Sequence, residues 1–571
     1  MLLTLIALII GVLWGGAFLV LALRSDAHKH MAAVGTAVLA GLLSLGLLPL
    51  AQADPVSLFT LGAAFGDVSF VADGLGATLA VLAAVIGSLT VIFSVNYMQG
   101  EADLGRYYAL MLFFIGAMVG LALSDSLLLL FFFWEVTALC SYALIAFDND
   151  NPKAVAGGVR ALVITSLGGV GLFLGALIIR AETGSYAISD LLANPNALPA
   201  DMLALVAFGF LAAAAAKSAQ VPFQTWLPGA MEAPTPISAL IHAATMVNAG
   251  VYLLMRFFPA FEGVAGWTEA VIAVGLASAL LAASLAILAT DLKAVLAYST
   301  ISQLGYMVVA VGIGGVFAAQ FHLFSHAIFK ALLFLGAGAI IHSVGTRDMR
   351  QMGGLWKEMP FVRNVFLIGA LALMGIPFFN GFWSKEFILE TAKYNHEMVA
   401  FGGMLLGALM TGLYTMRMLW LVFLAEPAED RHPHPAGGAM RFALGVLAVG
   451  AVTSWLLVGP LSGFLHDTLP HHHIETLSVG ELVSDVMSAP ATYGTLAVIA
   501  LGISLWFVAP KAQISVGDFG FSWLNSNIVA GTQRLSAVLS ITQTGQLNWN
   551  LVGIAGALAV VLLVIIFGGA S

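Results

Sequence analysis

Apolar runs of roughly 18 or more residues recur along this 571-residue chain, and each is long enough to cross a ~30 Å hydrocarbon layer as a helix. The runs are continuous and do not alternate, so helices rather than a barrel are implied. Only 9% of the residues are charged and 60% are hydrophobic. A soluble domain carries about 25% charged residues, so a soluble fold is excluded. The opening MLLTLIALIIGVLWGGAFLVLAL has no basic leading region and no small-residue cleavage end, and is expected to be the first span rather than a signal peptide. The lone Cys140 excludes a cysteine-ligated iron–sulfur cluster and an internal disulfide. No P-loop and no G-x-G-x-x-G after a strand occurs, which argues against a nucleotide site. No cofactor is expected in this chain, and no nucleic-acid partner.

Hydropathy predicts an all-α polytopic membrane protein of about sixteen spans: 2–23, 31–50, 75–98, 107–123, 125–147, 155–180, 202–224, 236–257, 268–289, 292–314, 316–343, 362–395, 398–424, 442–466, 491–509 and 551–568. With the N-terminus outside, fifteen of the 21 basic residues fall on the inner side, among them Lys293 and Arg347. Only Arg180, Arg256 and Lys393 fall outside. That bias fits the positive-inside rule and a multi-pass protein of the cell's inner (plasma) membrane. Segment 514–550 mixes Trp523, Leu524, Ile528 and Leu535 with polar residues; a helix along the inner surface fits it, and an ordinary loop is the alternative.

Two spans are interrupted alike, LAAAAAKSAQVPFQTWLPGAMEAPTP (211–236) and LALMGIPFFNGFWSKEFILE (371–390). Each combines proline, glycine, aromatics and a lysine. Proline removes a helical backbone bond, and in lipid the freed carbonyls are tolerated only where the backbone is buried in protein or lines a wet cavity. The breaks fall in the seventh and twelfth spans. That odd offset makes spans 4–8 and 9–13 two inverted five-helix blocks, and paired broken helices in inverted halves point to a transport site near the midplane. The domains are then N-terminal helices 1–106, a first repeat 107–257, a second repeat 268–424, additional spans 442–509, the lateral helix 514–550 and a last span 551–571.

An ionisable group at the bilayer centre costs several kcal/mol, so each is a functional candidate. Glu135 sits in LLLLFFFWEVTALCSY with no basic residue within a helical turn, so its partner must come from another helix. Lys217 stands just before the first break. A Glu–Lys pair of variable separation can load and unload a proton; a static buried pair is the alternative. His242 in PISALIHAATMVNAG alone reads more readily as a core residue. His322, His326 and Lys330 in FHLFSHAIFKALLF are spaced i, i+4, i+8 and share one helix face, over about 12 Å at ~1.5 Å per residue. Neutral imidazole both accepts and donates, as a proton relay requires. Lys385 follows the second break, with Glu386 facing the outer water or pairing nearby. No oxygen cage for a hard cation is visible, which tilts the ion towards H⁺ over Na⁺. The PHHHIE run (470–475) reads as a solvated tract before a metal site.

FWE around Glu135, GAMEAPTPISALIHAATMVNAGVYLL (229–254), TDLKAVLAYSTISQLGYM (290–307), FHLFSHAIFKALLFLGAGAIIH (321–342) and GGLWKEMP with GIPFFNGFWSKE (353–386) together resemble the antiporter-like subunit L (subunit 5) family of respiratory complex I. The same core is similar to the large subunit of Mrp-type cation/proton antiporters. The resemblance implies half-channels in two inverted bundles. Glu135 and Lys217 would form the loading pair, His242, His322, His326 and Lys330 the relay, and Lys385 with Glu386 the exit. It implies a non-catalytic proton-pumping subunit of a quinone oxidoreductase fed by NADH, ferredoxin or F420, among sister antiporter-like and small membrane subunits in lipid, with the peripheral redox arm not contacted directly. A redox-independent Na⁺/H⁺ antiporter subunit and a proton-driven inorganic-carbon accumulating complex are the alternatives. Where the family's respiratory branch usually has an aspartate in the sixth span, this chain reads VITSLGGVG with Gly169 in its place; Asp there is expected to be tolerated if Glu135 and Lys217 suffice.

Overall fold

A computed structural model describes residues 1–60, 62, 65–427 and 433–508. The lateral helix expected at 514–550 and the last span at 551–568 lie outside the described residues. Among the described residues, thirteen helices are long and apolar enough to cross a membrane. Two expected spans are not among them. Asp26–Leu45 starts earlier than anticipated and takes in Asp26 and Lys29, and the run 362–395 is divided into Pro360–Met374 and Asn380–Tyr394. One element was not anticipated: an antiparallel hairpin pairs Val56–Thr60 with Asp67–Phe70. It marks one end of the bundle, called the hairpin end below.

Helix starts are fixed by the residues that punctuate the apolar runs. Asp73 accepts from the Gly76 amide and Asp291 from the Ala294 amide, each satisfying an orphan donor of the first turn. Asn151 does the same for Lys153, with Pro152 opening the helix. Gly184, Gly345 and Gly375 close helices in the left-handed conformation. Small residues then let backbones touch, as membrane helices without a strong hydrophobic drive require. A Cβ on Gly171 would sit 2.4 Å from the Gly209 carbonyl oxygen, and one on Gly275 2.8 Å from that of Gly305. These contacts join Pro152–Thr183 to Ala200–Lys217, and Trp267–Leu288 to Leu292–Gly312.

The two expected breaks are present. At the first, Ala200–Lys217 ends and Ala219 takes a φ of 50°. The carbonyls freed there are not orphaned: Ala215 accepts from the Gln220 amide and Ala216 from the Trp226 indole. At the second, Pro360–Met374 ends at Gly375 (φ 84°), and Phe378 has a φ of 78°. A third break was not anticipated. The span expected over 236–257 is divided into Thr235–Ala243 and Met246–Phe261. The Leu240 carbonyl accepts from the Thr245 hydroxyl at 2.5 Å and the Ala243 carbonyl from the Asn248 amide at 2.6 Å. Thr245 and Asn248, two polar side chains just after Ala243, were its sequence signal.

Candidate ion-transfer site

Leu127–Ile145 carries Glu135. Glu135 Oε2 accepts from the Ser166 hydroxyl at 2.8 Å, while its Oε1 is buried without a protein partner. Ser166 belongs to Pro152–Thr183, as does Gly169, and a Cβ on Gly169 would stand 2.6 Å from Glu135 Oε1. Glu135 is half-buried, and Phe132 and Leu139 on its helix are about half exposed, so this carboxylate lies just beneath the bundle's outer wall.

Lys217 is wholly buried. Its ammonium donates to the Trp134 carbonyl at 2.7 Å and sits over the Trp134 ring, 4.8 Å from its centroid. The Thr137 hydroxyl donates to the same carbonyl. Lys217 is therefore held beside Glu135, on the neighbouring residue's backbone, yet no ion pair within 4.0 Å joins the two among the described residues. A static salt bridge is not what these side chains form.

Lys330 repeats that arrangement on the next helices. Its ammonium donates to the Ser299 hydroxyl and to the Leu296 carbonyl, and Leu296 also accepts from the hydroxyls of Ser299 and Thr300. His322 is bridged at both nitrogens, Nδ1 to Ser384 Oγ at 2.9 Å and Nε2 to Gln303 Oε1 at 3.2 Å. The rings of His322 and His326 are 6.4 Å apart. His242 packs against Phe334 with ring centroids 4.5 Å apart. Among the described residues, neither His242 nor His326 has a hydrogen-bond partner at either nitrogen. Lys330 is close enough to His242, His326 and Lys385 to interact electrostatically with each.

Lys385 donates to the Leu373 carbonyl at 2.9 Å, one of the carbonyls in the last turn of Pro360–Met374, where a cation is favoured by the helix dipole. Of the two places the sequence allows Glu386, facing the outer water or pairing nearby, its 1% exposure excludes the first. The helix Pro490–Val508 covers it, bringing Thr492 and Thr495 against its carboxylate.

The structure thus brings His242, Lys330, His326, His322, Lys385 and Glu386 into one buried row and sets Glu135 with Lys217 at another point of the bundle. Buried polar atoms without a protein partner gather along these elements, including Gln220 Oε1, Asn248 Oδ1, Ser302 Oγ and Gln303 Nε2. Ordered water is the usual partner of buried polar groups of this kind.

Sequence reasoning missed several residues. Lys293, counted with the inner-side charges, is only 2% exposed and donates to the Ala233 carbonyl at 2.5 Å. Beside it Arg347 bonds both Asp291 and Glu232. Arg256, counted as a flanking charge, is buried and paired with Asp73 and with the Tyr252 hydroxyl. Near that pair at the hairpin end, Asp125 accepts from the Ser189 amide and hydroxyl, both at 3.0 Å. Burial raises the Asp125 carboxyl to about 6. His472 of the PHHHIE run lies 2.9 Å from the Met255 carbonyl oxygen, and burial lowers it to about 4.

A helical membrane protein with broken helices and a buried row of titratable side chains is an ion-translocating protein of the antiporter-like class. Comparison with known proteins gives the family. Residues 124–411 match the NADH:quinone oxidoreductase/Mrp antiporter transmembrane family, and residues 59–108 match the complex I chain 5 N-terminus family. The chain is 36% identical to NADH-quinone oxidoreductase subunit L of Pseudomonas aeruginosa, over 86% of each chain. It is 34% identical to Na⁺/H⁺ antiporter subunit A1 of Staphylococcus aureus, over 87% of this chain and 66% of that one. The fold matches a chain of the Mrp complex from Dietzia sp. DQ12-45-1b with a TM-score of 0.81 and 30% identity, over 98% of this chain and 63% of that chain. The chain belongs to the antiporter-like subunit L family shared by complex I and Mrp antiporters.

Proposed function

We propose that this chain is a proton-translocating subunit of a complex I-like oxidoreductase, and that protons move along its buried row while electrons move elsewhere in the complex. One observation carries the reading: Lys217, Lys330 and Lys385 are each buried and, among the described residues, in no ion pair with a carboxylate, held instead on backbone carbonyls and, for Lys330, the Ser299 hydroxyl, with imidazoles beside Lys330 that have no hydrogen-bond partner among those residues. Approach of a carboxylate favours the charged form of a buried ammonium, and its withdrawal favours release of the proton. Displacement of Glu135 from Ser166 towards Lys217 would load that lysine. Its return would unload it towards His242, Lys330, His326 and His322, and Lys385 with Glu386 would deliver the proton to the hairpin end. By the positive-inside bias that end faces outward, and the membrane is the plasma membrane. The two breaks would stand in inverted five-helix repeats at 107–257 and 268–424. Sister antiporter-like subunits and small membrane subunits would flank the chain.

A second reading, a subunit of a redox-independent Na⁺/H⁺ antiporter, is favoured by the similarity to the Dietzia Mrp complex across 98% of this chain. Proteoliposomes holding the purified complex separate the two. Interior pH is followed with a dye during electron input, with and without sodium. Electron-driven proton uptake that disappears in Lys217→Ala supports the pump. Proton movement that ignores electrons and requires a sodium gradient makes this an antiporter subunit. Lys217→Ala that merely lowers the amount of assembled complex would return Lys217 to a structural role.

A further inference from the structure

At the end of the bundle opposite the hairpin, two helix starts leave a cavity of about 210 Å³ between them. One is Pro360–Met374, which begins where the short turn Leu355–Glu358 stops at Met359. The other is Gly438–Thr453, anchored by the Ala439 amide, which donates at 2.9 Å to Asn96 Oδ1 at the far end of Gly74–Tyr97. Met359, Phe361, Val362 and Pro435 give the cavity an apolar lining, and Glu358 and Arg441 are its two charged residues. Both are exposed, and among the described residues neither is in an ion pair. The Arg441 guanidinium lies over the Phe361 ring, 5.2 Å from its centroid. Directly after Arg441, Phe442, Val446 and Val449 form an exposed apolar stripe at i, i+4 and i+7, about 10 Å long at ~1.5 Å per residue. Two residues before Glu358, Trp356 is exposed, with the Arg363 guanidinium 4.7 Å from its ring centroid. None of these residues belongs to the buried row.

We propose that this cavity holds the headgroup of a phospholipid bearing a phosphate and a primary ammonium, a phosphatidylethanolamine, with an acyl chain laid along Phe442, Val446 and Val449. The parts stand in the order such a molecule needs. The Arg441 guanidinium offers a planar pair of donors to a phosphate, and the Glu358 carboxylate accepts from an ammonium. The stripe that starts beside Arg441 covers the chain below the headgroup. Charge selects the class of lipid. One acid and one base in the lining sum to zero, which matches a zwitterion, whereas a purely anionic headgroup would leave Glu358 facing like charge. A quaternary ammonium has no N–H to donate to that carboxylate. The level in the bilayer fits as well, because helix ends and an exposed tryptophan mark the headgroup region. The proposal holds whichever complex the chain serves and whichever ion its buried row carries.

Photocrosslinking of the purified complex tests it. The complex is held in phosphatidylcholine nanodiscs doped with phosphatidylethanolamine, phosphatidylglycerol or phosphatidylcholine, each carrying a diazirine in its acyl chain, and labelled peptides are mapped by mass spectrometry. Labelling at the exposed Leu167 serves as the reference for bulk lipid. The peptide holding Phe442, Val446 and Val449 is expected to take at least about three-fold more label from phosphatidylethanolamine than from the other two lipids. Arg441→Gln and Glu358→Gln are each expected to bring that label down to the phosphatidylcholine level, with assembly unchanged because both side chains are exposed. Equal labelling by the three lipids overturns the proposal, as does a preference that either variant leaves unaltered. Loss of the label under excess soluble phosphoethanolamine would make a free headgroup compound the ligand and overturn it too. No label on this peptide from any lipid would mean that another subunit covers the cavity, with the same result.

Discussion

The two broken segments solve one problem in different ways. At the first break, Lys217 is the last residue of its own helix and reaches across to the Trp134 carbonyl of another. At the second, Lys385 follows the break and reaches back to Leu373 in the helix before it. The surroundings differ more. Glu135 is half-buried behind an exposed wall that includes Phe132, Leu139 and Leu167, whereas Lys385 and Glu386 are each 1% exposed, enclosed by the chain's own helices. The difference lies in the carboxylates: Glu135 beside the first break is half-buried, while Glu386 after the second is enclosed, although Phe378 within that break is 77% exposed.

Packing around the breaks offers the sharpest test of that contrast. A Cβ on Gly381 would stand 2.0 Å from the Ala372 carbonyl oxygen, a backbone atom that cannot yield. Gly381→Val should cost several kcal/mol through overpacking and remove most of the assembled protein from membranes, as read on native gels. Wild-type yield from that variant would mean that the helices of the second break do not approach as closely as described here.

A smaller effect is expected at Gly169. From the sequence, Gly169→Asp is tolerated only if Glu135 and Lys217 suffice. The structure alters that, because the new Cβ would meet Glu135 Oε1 and a second carboxylate would stand beside the first. Glu135 is the end of a flexible side chain and can move, so assembly should persist. The Ser166 hydrogen bond should be lost and proton movement should fall by about ten-fold, an energy of ~1.4 kcal/mol. Unchanged transport with full assembly would show that the position of Glu135 against Ser166 does not matter.

Asp125, next to the start of the helix that carries Glu135, gives a pH signature of its own. Its carboxyl is raised from 3.8 to about 6 by burial, against the Ser189 hydrogen bonds and the Arg256 charge, with Asp190 also acting on it. A raised carboxyl binds its proton more tightly folded than unfolded, so its stabilising contribution is complete below about 4 and is lost as pH rises to about 6. The loss is on the order of 3 kcal/mol at ~1.4 kcal/mol per unit. Thermal unfolding of the purified complex should therefore shift down across that window and level off above it, and Asp125→Asn should flatten the change. A profile that Asp125→Asn leaves unaltered would assign the titration to another group.

The smallest effect belongs to the first break. A Cβ on Gly229 would find nothing nearer than Arg160 Nη1 at 3.8 Å, and its φ of −65° suits any residue. Gly229→Ala should change stability by no more than about 0.5 kcal/mol, read as an unaltered unfolding temperature. A marked loss would make the first break as tightly built as the second.

Much of the molecule was legible in the sequence because membrane solvation writes directly into it. A span must be apolar along its whole length, so hydropathy located the helices to within a few residues, and a charged residue inside a span stands out against that background. Lys217, His322, His326, Lys330 and Lys385 were found for that reason, and the prolines and glycines at 222–229 and 375–381 announced two breaks. What the sequence left open depended on side chains from distant parts of the chain. The break after Ala243 exists because Thr245 and Asn248 supply hydrogen bonds to freed carbonyls, a role their residue types permit but do not dictate. The burial of Lys293 and Arg256 could not be read from charges that also suit a span's end. Nor could the sequence distinguish an ion pair from a lysine held on a carbonyl. That distinction turns on whether two helices bring Nζ and a carboxylate within a few ångströms, and only the tertiary structure, which sets Glu135 on Ser166 and Lys217 on Trp134, decided it.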